Sequence, residues 1–221
     1  MTTAGGRDEE ACAVRYRQVL WAIVAAGMTF GGAQAAATIK LTPAINDMYA
    51  AVGMSPPTAA RMTVCYGFVC RRRMELAFTA RERATLKHIL ARGRASPKAE
   101  RKAIQRAFVW FDHRVGRETG TSKRVANADI RTFDAAHNFD CWDTTRNETS
   151  LLLVLQAWGA LRYHTVADPH YRGNILIGQL PHNTSVIVDR KSGIKWVVDM
   201  WPTAYGQVPN VMPLAKWLEE K

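Results

Sequence analysis

The sequence predicts an α+β protein in which helices, one of them bearing a lone cysteine, pack on a mainly antiparallel sheet. Three observations predict this class. Helical patterns with clear start signals open at Thr79 and Ser96, a third helical block lies at residues 140–158, and strand-like segments gather after residue 160. Helices first and strands afterwards, rather than strict alternation, argue for α+β organisation. The chain has 221 residues, 48% of them hydrophobic and 22% charged, a globular composition with room for one domain and a leader.

Residues 1–35 read as a signal peptide. Arg15 and Arg17 precede an apolar stretch from Val19 to Phe30, and Ala33-Gln34-Ala35 supplies the small residues that signal peptidase needs. An uncleaved anchor is the alternative, but the stretch is short and carries Gly27, Gly31 and Gly32. Asp8, Glu9 and Glu10 make the leader's start unusually acidic. No other segment is apolar enough to span a bilayer, so the mature chain is expected in the periplasm or secreted, without a transmembrane segment.

Residues 36–95 form a lead-in expected to pack on the rest. Its first part, to residue 60, is loose and carries Pro43, Pro56 and Pro57; residues 62–78 suggest a hairpin around Cys65 and Cys70. Thr79 and Glu82 then make a capping box that opens a helix to about Ala91. Residues 96–221 follow. Ser96-Pro97 starts a helix whose buried stripe is Ile104, Phe108, Phe111 and Val115, expected to end before Gly116. Residues 117–138 are a long polar loop. The helix from Asp140 to Trp158 is polar at its start, apolar later and terminated at Gly159. Strands are expected at Leu161–Val166, Asn174–Ile177, Thr184–Val188 and Ile194–Asp199, and a short helix near Leu214–Leu218.

The chain carries 30 Lys or Arg against 19 Asp or Glu, and 12 of the basic residues fall between Arg71 and Arg106 beside three Glu. A nucleic-acid groove would share that balance, but nucleic-acid motifs and interleaved aromatics are missing, so no nucleic acid is expected and solvated helix faces account for the charge. An anionic envelope polymer or lipid headgroup is a secondary idea. Of four cysteines, Cys12 lies in the leader. Cys65 and Cys70 sit close together around Gly67, and in an oxidising compartment they are expected to form a disulfide. Zinc is the alternative, but partners at finger spacing are absent. Cys141 is left alone, and a free thiol in an exported chain points to reactivity.

Cys141 falls at the start of a helix, where unpaired amides and the helix dipole favour a thiolate. His182 lies at the mouth of one strand and Asp199 at the end of the next. A register with index sum 381 would set these two directly opposite each other and pair Val188 with Gly193 across a four-residue loop. The apolar pattern permits this register without forcing it, and a one-residue slip would separate the pair.

The order Cys141, His182, Asp199, with Asp140-Cys141-Trp142-Asp143 opening the helix, Pro181-His182-Asn183-Thr184 opening a strand and Val197-Val198-Asp199 ending one, resembles the transglutaminase-like, papain-related superfamily. The nearest likeness is to bacterial transglutaminase-like cysteine proteinases and related periplasmic proteins, over roughly residues 96–221. The resemblance implies a papain-like core in those residues, with the cysteine helix packed on a sheet that carries a Cys141–His182–Asp199 triad. It implies a hydrolase or acyltransferase, protease or amidase before transglutaminase, acting on a protein or peptide of the cell envelope. Asn183 departs from the family, where an aromatic is common near the histidine. The Cys141 amide would be one oxyanion donor, and His137, Asn138 or a Trp another. Some relatives bind calcium here, but Asp140 and Asp143 are too few for a calcium site, so no cofactor is expected. A non-catalytic binding or adaptor protein on the same fold is the alternative.

Overall fold

A computed structural model of the chain describes residues 39–220; the expected signal peptide lies outside them. The first helix, α1 (Pro43–Ala50), occupies what the sequence suggests is a loose lead-in. Its start signal is present nonetheless: Thr42 caps the Ile45 amide and Pro43 takes the first helical position, where it has no amide to lose. Strands β1 (Arg61–Tyr66) and β2 (Arg72–Ala77) form the expected hairpin around the cysteine pair, with Cys65 opposite Arg73. The capping box of Thr79 and Glu82 opens α2 (Ala80–Ala91) as expected.

Helix α3 (Pro97–Thr119) passes through Gly116 and stops only at Gly120, which takes the left-handed conformation that ends many helices. Gly116 therefore acts as a contact residue and not as a breaker. A Cβ there would stand 2.4 Å from the Tyr205 ring, so the helix needs a glycine to let that ring approach.

The long loop after α3 contains two short 3-10 turns, and α4 (Cys141–Ala157) follows. Every residue from Asp143 to Leu155 of α4 is buried. Much of its polar first half is anchored by hydrogen bonds, although among the described residues Asp143 Oδ2, Arg146 Nη1 and the Thr149 hydroxyl are left without a partner. Asn147 accepts from the Cys65 amide and donates to the Cys65 carbonyl, both at 2.8 Å. Ser150 meets the Tyr49 hydroxyl of α1 at 2.8 Å, and Glu148 reaches the backbone of the larger sheet. The apolar second half joins Met62, Leu76, Leu86, Ile104, Phe108, Ile187 and Val198 in the main core.

That larger sheet is antiparallel, in the order β3 (His164–Asn174), β4 (Gln179–Asp189), β5 (Lys195–Asp199), β6 (Asn210–Pro213). Expected strand Leu161–Val166 becomes the longer β3. Residues Ile175–Ile177 form a 3-10 turn at the β3–β4 hairpin tip instead of a strand, their apolar side chains exposed. The β4–β5 register pairs Ser185 with Val198 and Val188 with Lys195, two residues away from the expected one. A two-residue shift preserves the faces. His182 and Asp199 thus become diagonal neighbours, not direct opposites. The last helix, α5 (Leu214–Glu219), closes a second apolar cluster of Val186, Val197, Leu214 and Trp217. The described chain is mixed α+β, with two antiparallel sheets and five α-helices. Among the described residues no helix is long and apolar enough to cross a membrane.

Candidate functional site

Cys141 is the first residue of α4, and its thiol is free and partly exposed. Its position is fixed from in front by Asp140, the N-cap, whose Oδ1 accepts the Asp143 amide at 2.6 Å. The other Asp140 oxygen accepts the Val69 amide, and Asp143 Oδ1 accepts the Cys70 amide, each at 2.6 Å. These amides come from an unusual turn. Gly67, Phe68, Val69 and Cys70 have φ values of 77°, 64°, 51° and 55°, a left-handed run in which only the first residue escapes the Cβ penalty. A disulfide between Cys65 and Cys70 spans the turn. The turn's amides point at two carboxylates, an anion-holding nest built from main chain.

Asp143 is fully buried and its Oδ2 lacks a hydrogen-bond partner. Burial first, then the Asp140 charge, raises its pKa from 3.8 to about 7. The sulfurs of Cys65 and Cys70 lie within 4.8 Å of an Asp143 oxygen, a spacing that would suit a metal. As a disulfide, however, the two sulfurs are bonded to each other and are not thiolate ligands. Asp140 and Asp143 likewise direct three of their four oxygens at amide hydrogens.

His182 lies inside β4 and is 2% exposed. Its Nε2 meets Asp199 Oδ2 at 2.7 Å, and the Trp217 indole donates to the same oxygen at 3.2 Å. The Trp201 amide donates to Asp199 Oδ1, so the carboxylate is held from both sides. The ring lies against Trp201 and Trp217, with centroids 4.5 and 5.5 Å away. With Nε2 directed at the acid, a neutral ring carries its proton there and leaves the Nδ1 lone pair open. Nδ1 has no hydrogen-bond partner among the described residues. Burial pulls the imidazole pKa down, but the Asp199 hydrogen bond, the Cys141 sulfur and the charges of both outweigh it and lift the value from 6.5 to about 9. The Cys141 sulfur is thus one of the groups that favour the charged ring.

Asn183, the residue after His182, places its amide nitrogen 3.4 Å from the Cys141 sulfur. Sequence reasoning treats it as a departure from pattern, and strand alternation, which sends neighbouring side chains to opposite faces, gives no signal for it. Asn138 has another task, accepting the Val125 amide through its side chain and the Gly67 amide through its carbonyl. Glu148 also escapes sequence reasoning. It is fully buried beneath the sheet, and burial followed by the Asp199 charge holds it well above the usual carboxyl range.

A second histidine–carboxylate pair makes a useful contrast. His164 and Glu100 are buried and meet at 2.9 Å, yet Glu100 also accepts the amides of Arg162, Tyr163 and His164. Arg101 lies 3.1 Å from the other ring nitrogen, so both nitrogens are occupied and the pair pins α3 to β3. Only at His182 is one nitrogen left free beside a thiol. Protein-family models, curated proteins and solved structures were all compared with the chain, and none of the three comparisons finds a match.

Proposed function

We propose that the chain is an exported cysteine hydrolase or acyltransferase, with a papain-like arrangement of Cys141, His182 and Asp199, that cleaves or transfers amide bonds of an envelope protein or peptide. One observation carries the reading: a buried imidazole, oriented by a carboxylate 2.7 Å away, keeps its other nitrogen unpartnered next to the single free thiol of the described chain. In this reading His182, charged below about pH 9, holds the thiol's proton on Nδ1, and the Cys141 thiolate attacks a carbonyl carbon. The developing oxyanion is met by the Cys141 amide and by the Asn183 side chain, which replaces the donor expected from His137 or Asn138. His182 then protonates the departing amine, leaving a thioester that water resolves in a hydrolase and an amine in a transglutaminase. Asp199 holds the ring and stabilises its charged form. The resemblance at Asp140–Asp143 and 181–184 and the leader of residues 1–35 support export and hydrolysis of a periplasmic or secreted target.

The test is the pH dependence of Cys141 alkylation by iodoacetamide. Alkylation is expected well below pH 8, the ordinary thiol range lying about half a unit higher, and His182→Ala should abolish this low-pH reactivity. A thiol that titrates near 8.5, with or without His182, would leave the rival reading, a non-catalytic binding protein on the same fold.

A further inference from the structure

Arg146 lies one turn beyond Trp142 in α4 and is only 5% exposed. Its Nε donates to the Met48 carbonyl at 3.2 Å, but its Nη1 has no hydrogen-bond partner and the residue makes no ion pair among the described residues. A guanidinium offers five donors in a plane, and a buried charge left unpaired is costly. The nearest acids, Asp140 and Asp143, direct three of their four oxygens at backbone amides, and the fourth, Asp143 Oδ2, makes no hydrogen bond to Arg146. Arg73 is held by the carbonyls of Val52 and Gly53. Among the described residues Arg146 therefore forms no ion pair, although the charges of Asp143 and Asp140 act on it from a distance.

The side chain borders an open groove of about 480 Å³ between α1 and the first turns of α4, with Asp47, Met48, Trp142 and Pro169 on its walls. The Arg146 guanidinium lies 5.3 Å from the centre of the Trp142 ring, and Trp142, adjoining Cys141, is 41% exposed. An exposed indole beside a thiol is an apolar surface for a substrate to lie on, and the cation beneath it is a fixed end point.

We propose that this groove is a substrate subsite that takes a carboxylate on Arg146, with the neighbouring residue of the bound peptide against Trp142. It rests on the reading of Cys141 as the nucleophile only for its meaning as a specificity pocket; the binding itself requires no chemistry. The carboxylate belongs either to a peptide C-terminus or to an acidic side chain. Asp47, on the opposite wall, weakens binding of an anion and keeps the preference tunable.

The full chain carrying Cys141→Ala separates binding from reaction. Calorimetric titration would use N-acetyl-trialanine, its C-terminal amide, and N-acetyl-Ala-Glu-Ala amide. At least one of the two carboxylate peptides should bind about tenfold or more tightly than the neutral amide, the worth of one charge-assisted contact. Whichever acid wins identifies the source. Arg146→Met should collapse the difference, and Asp47→Asn should widen it. Equal affinities, no binding of any peptide, or a preference that survives Arg146→Met would overturn the proposal. If Arg146→Met fails to fold, Asp47→Asn decides, and an unchanged preference counts against the subsite. An inert Cys141 alongside carboxylate-selective binding would remove the chemistry and keep the groove; a reactive Cys141 without selectivity would do the reverse.

Discussion

Asp199 holds His182 through one carboxylate oxygen that the Trp217 indole also engages. Asp199→Asn keeps the size of the side chain but lets its amide present a donor to Nε2, inverting the tautomer and putting a proton on the nitrogen that faces the thiol. If the proposed chemistry holds, alkylation and any amide turnover should fall by roughly 10²–10⁴ while the folded structure is retained, as read by stopped-flow alkylation alongside circular dichroism. Residues of this kind were legible one by one: a free cysteine at a helix start, a histidine and an aspartate at strand positions. Their partners were not. Trp217 and Glu148 reach the site through folding of distant segments, Asn183 and Trp201 lie beside site residues without any motif to mark them, and no local pattern marks a tryptophan as the wall of an imidazole pocket.

At the scale of elements, the starts of α2 and α3 were legible because Thr79 with Glu82 and Ser96 with Pro97 are local capping signals. The end of α3 was not, since Gly116 reads as a stop until Tyr205, far along the chain, is seen against it. Helix α4 shows the same limit in its energetics. Its polar first half reads as an exposed surface, yet it is buried, with Asn147 serving as a bracket for the backbone of β1. Asn147→Ala leaves the Cys65 amide and carbonyl buried without these partners, and about 2–4 kcal/mol of stability should be lost. Urea unfolding monitored on the intact disulfide form measures it; a loss below about 0.5 kcal/mol would mean water replaces both bonds.

For the whole molecule, the α+β class followed from segment order, whereas the register of β4 with β5 could not, because Val186, Val188, Trp196 and Val198 satisfy both faces. Between pH 5 and pH 9 its response is led by His182, Asp143 and Glu148, all raised by their surroundings, and is opposed among the described residues only by the lowered His170. The His182 pKa is raised from 6.5 to about 9, so the folded state binds the proton more tightly than the unfolded chain. That stability is fully present below about pH 6.5 and is lost as pH rises through about 9, on the order of 3 kcal/mol. Asp143, raised from 3.8 to about 7, adds a decline in the same direction at lower pH, since its proton too is held more tightly when folded. Denaturant midpoints should therefore fall steadily from pH 5 to pH 9. Asp199→Asn should flatten the alkaline part of the slope, and a midpoint that climbs over this range would contradict both assignments.

The ring-against-ring arrangement of His182 with Trp201 and Trp217 gives the molecule a built-in optical probe. An imidazolium in van der Waals reach draws excited-state electron density from an indole and dims it, whereas a neutral ring does so far less. The share of emission that Trp201 and Trp217 contribute should therefore rise as the solution is made alkaline and the histidine loses its charge, and His182→Ala should remove that step, with no substrate, label or inhibitor added.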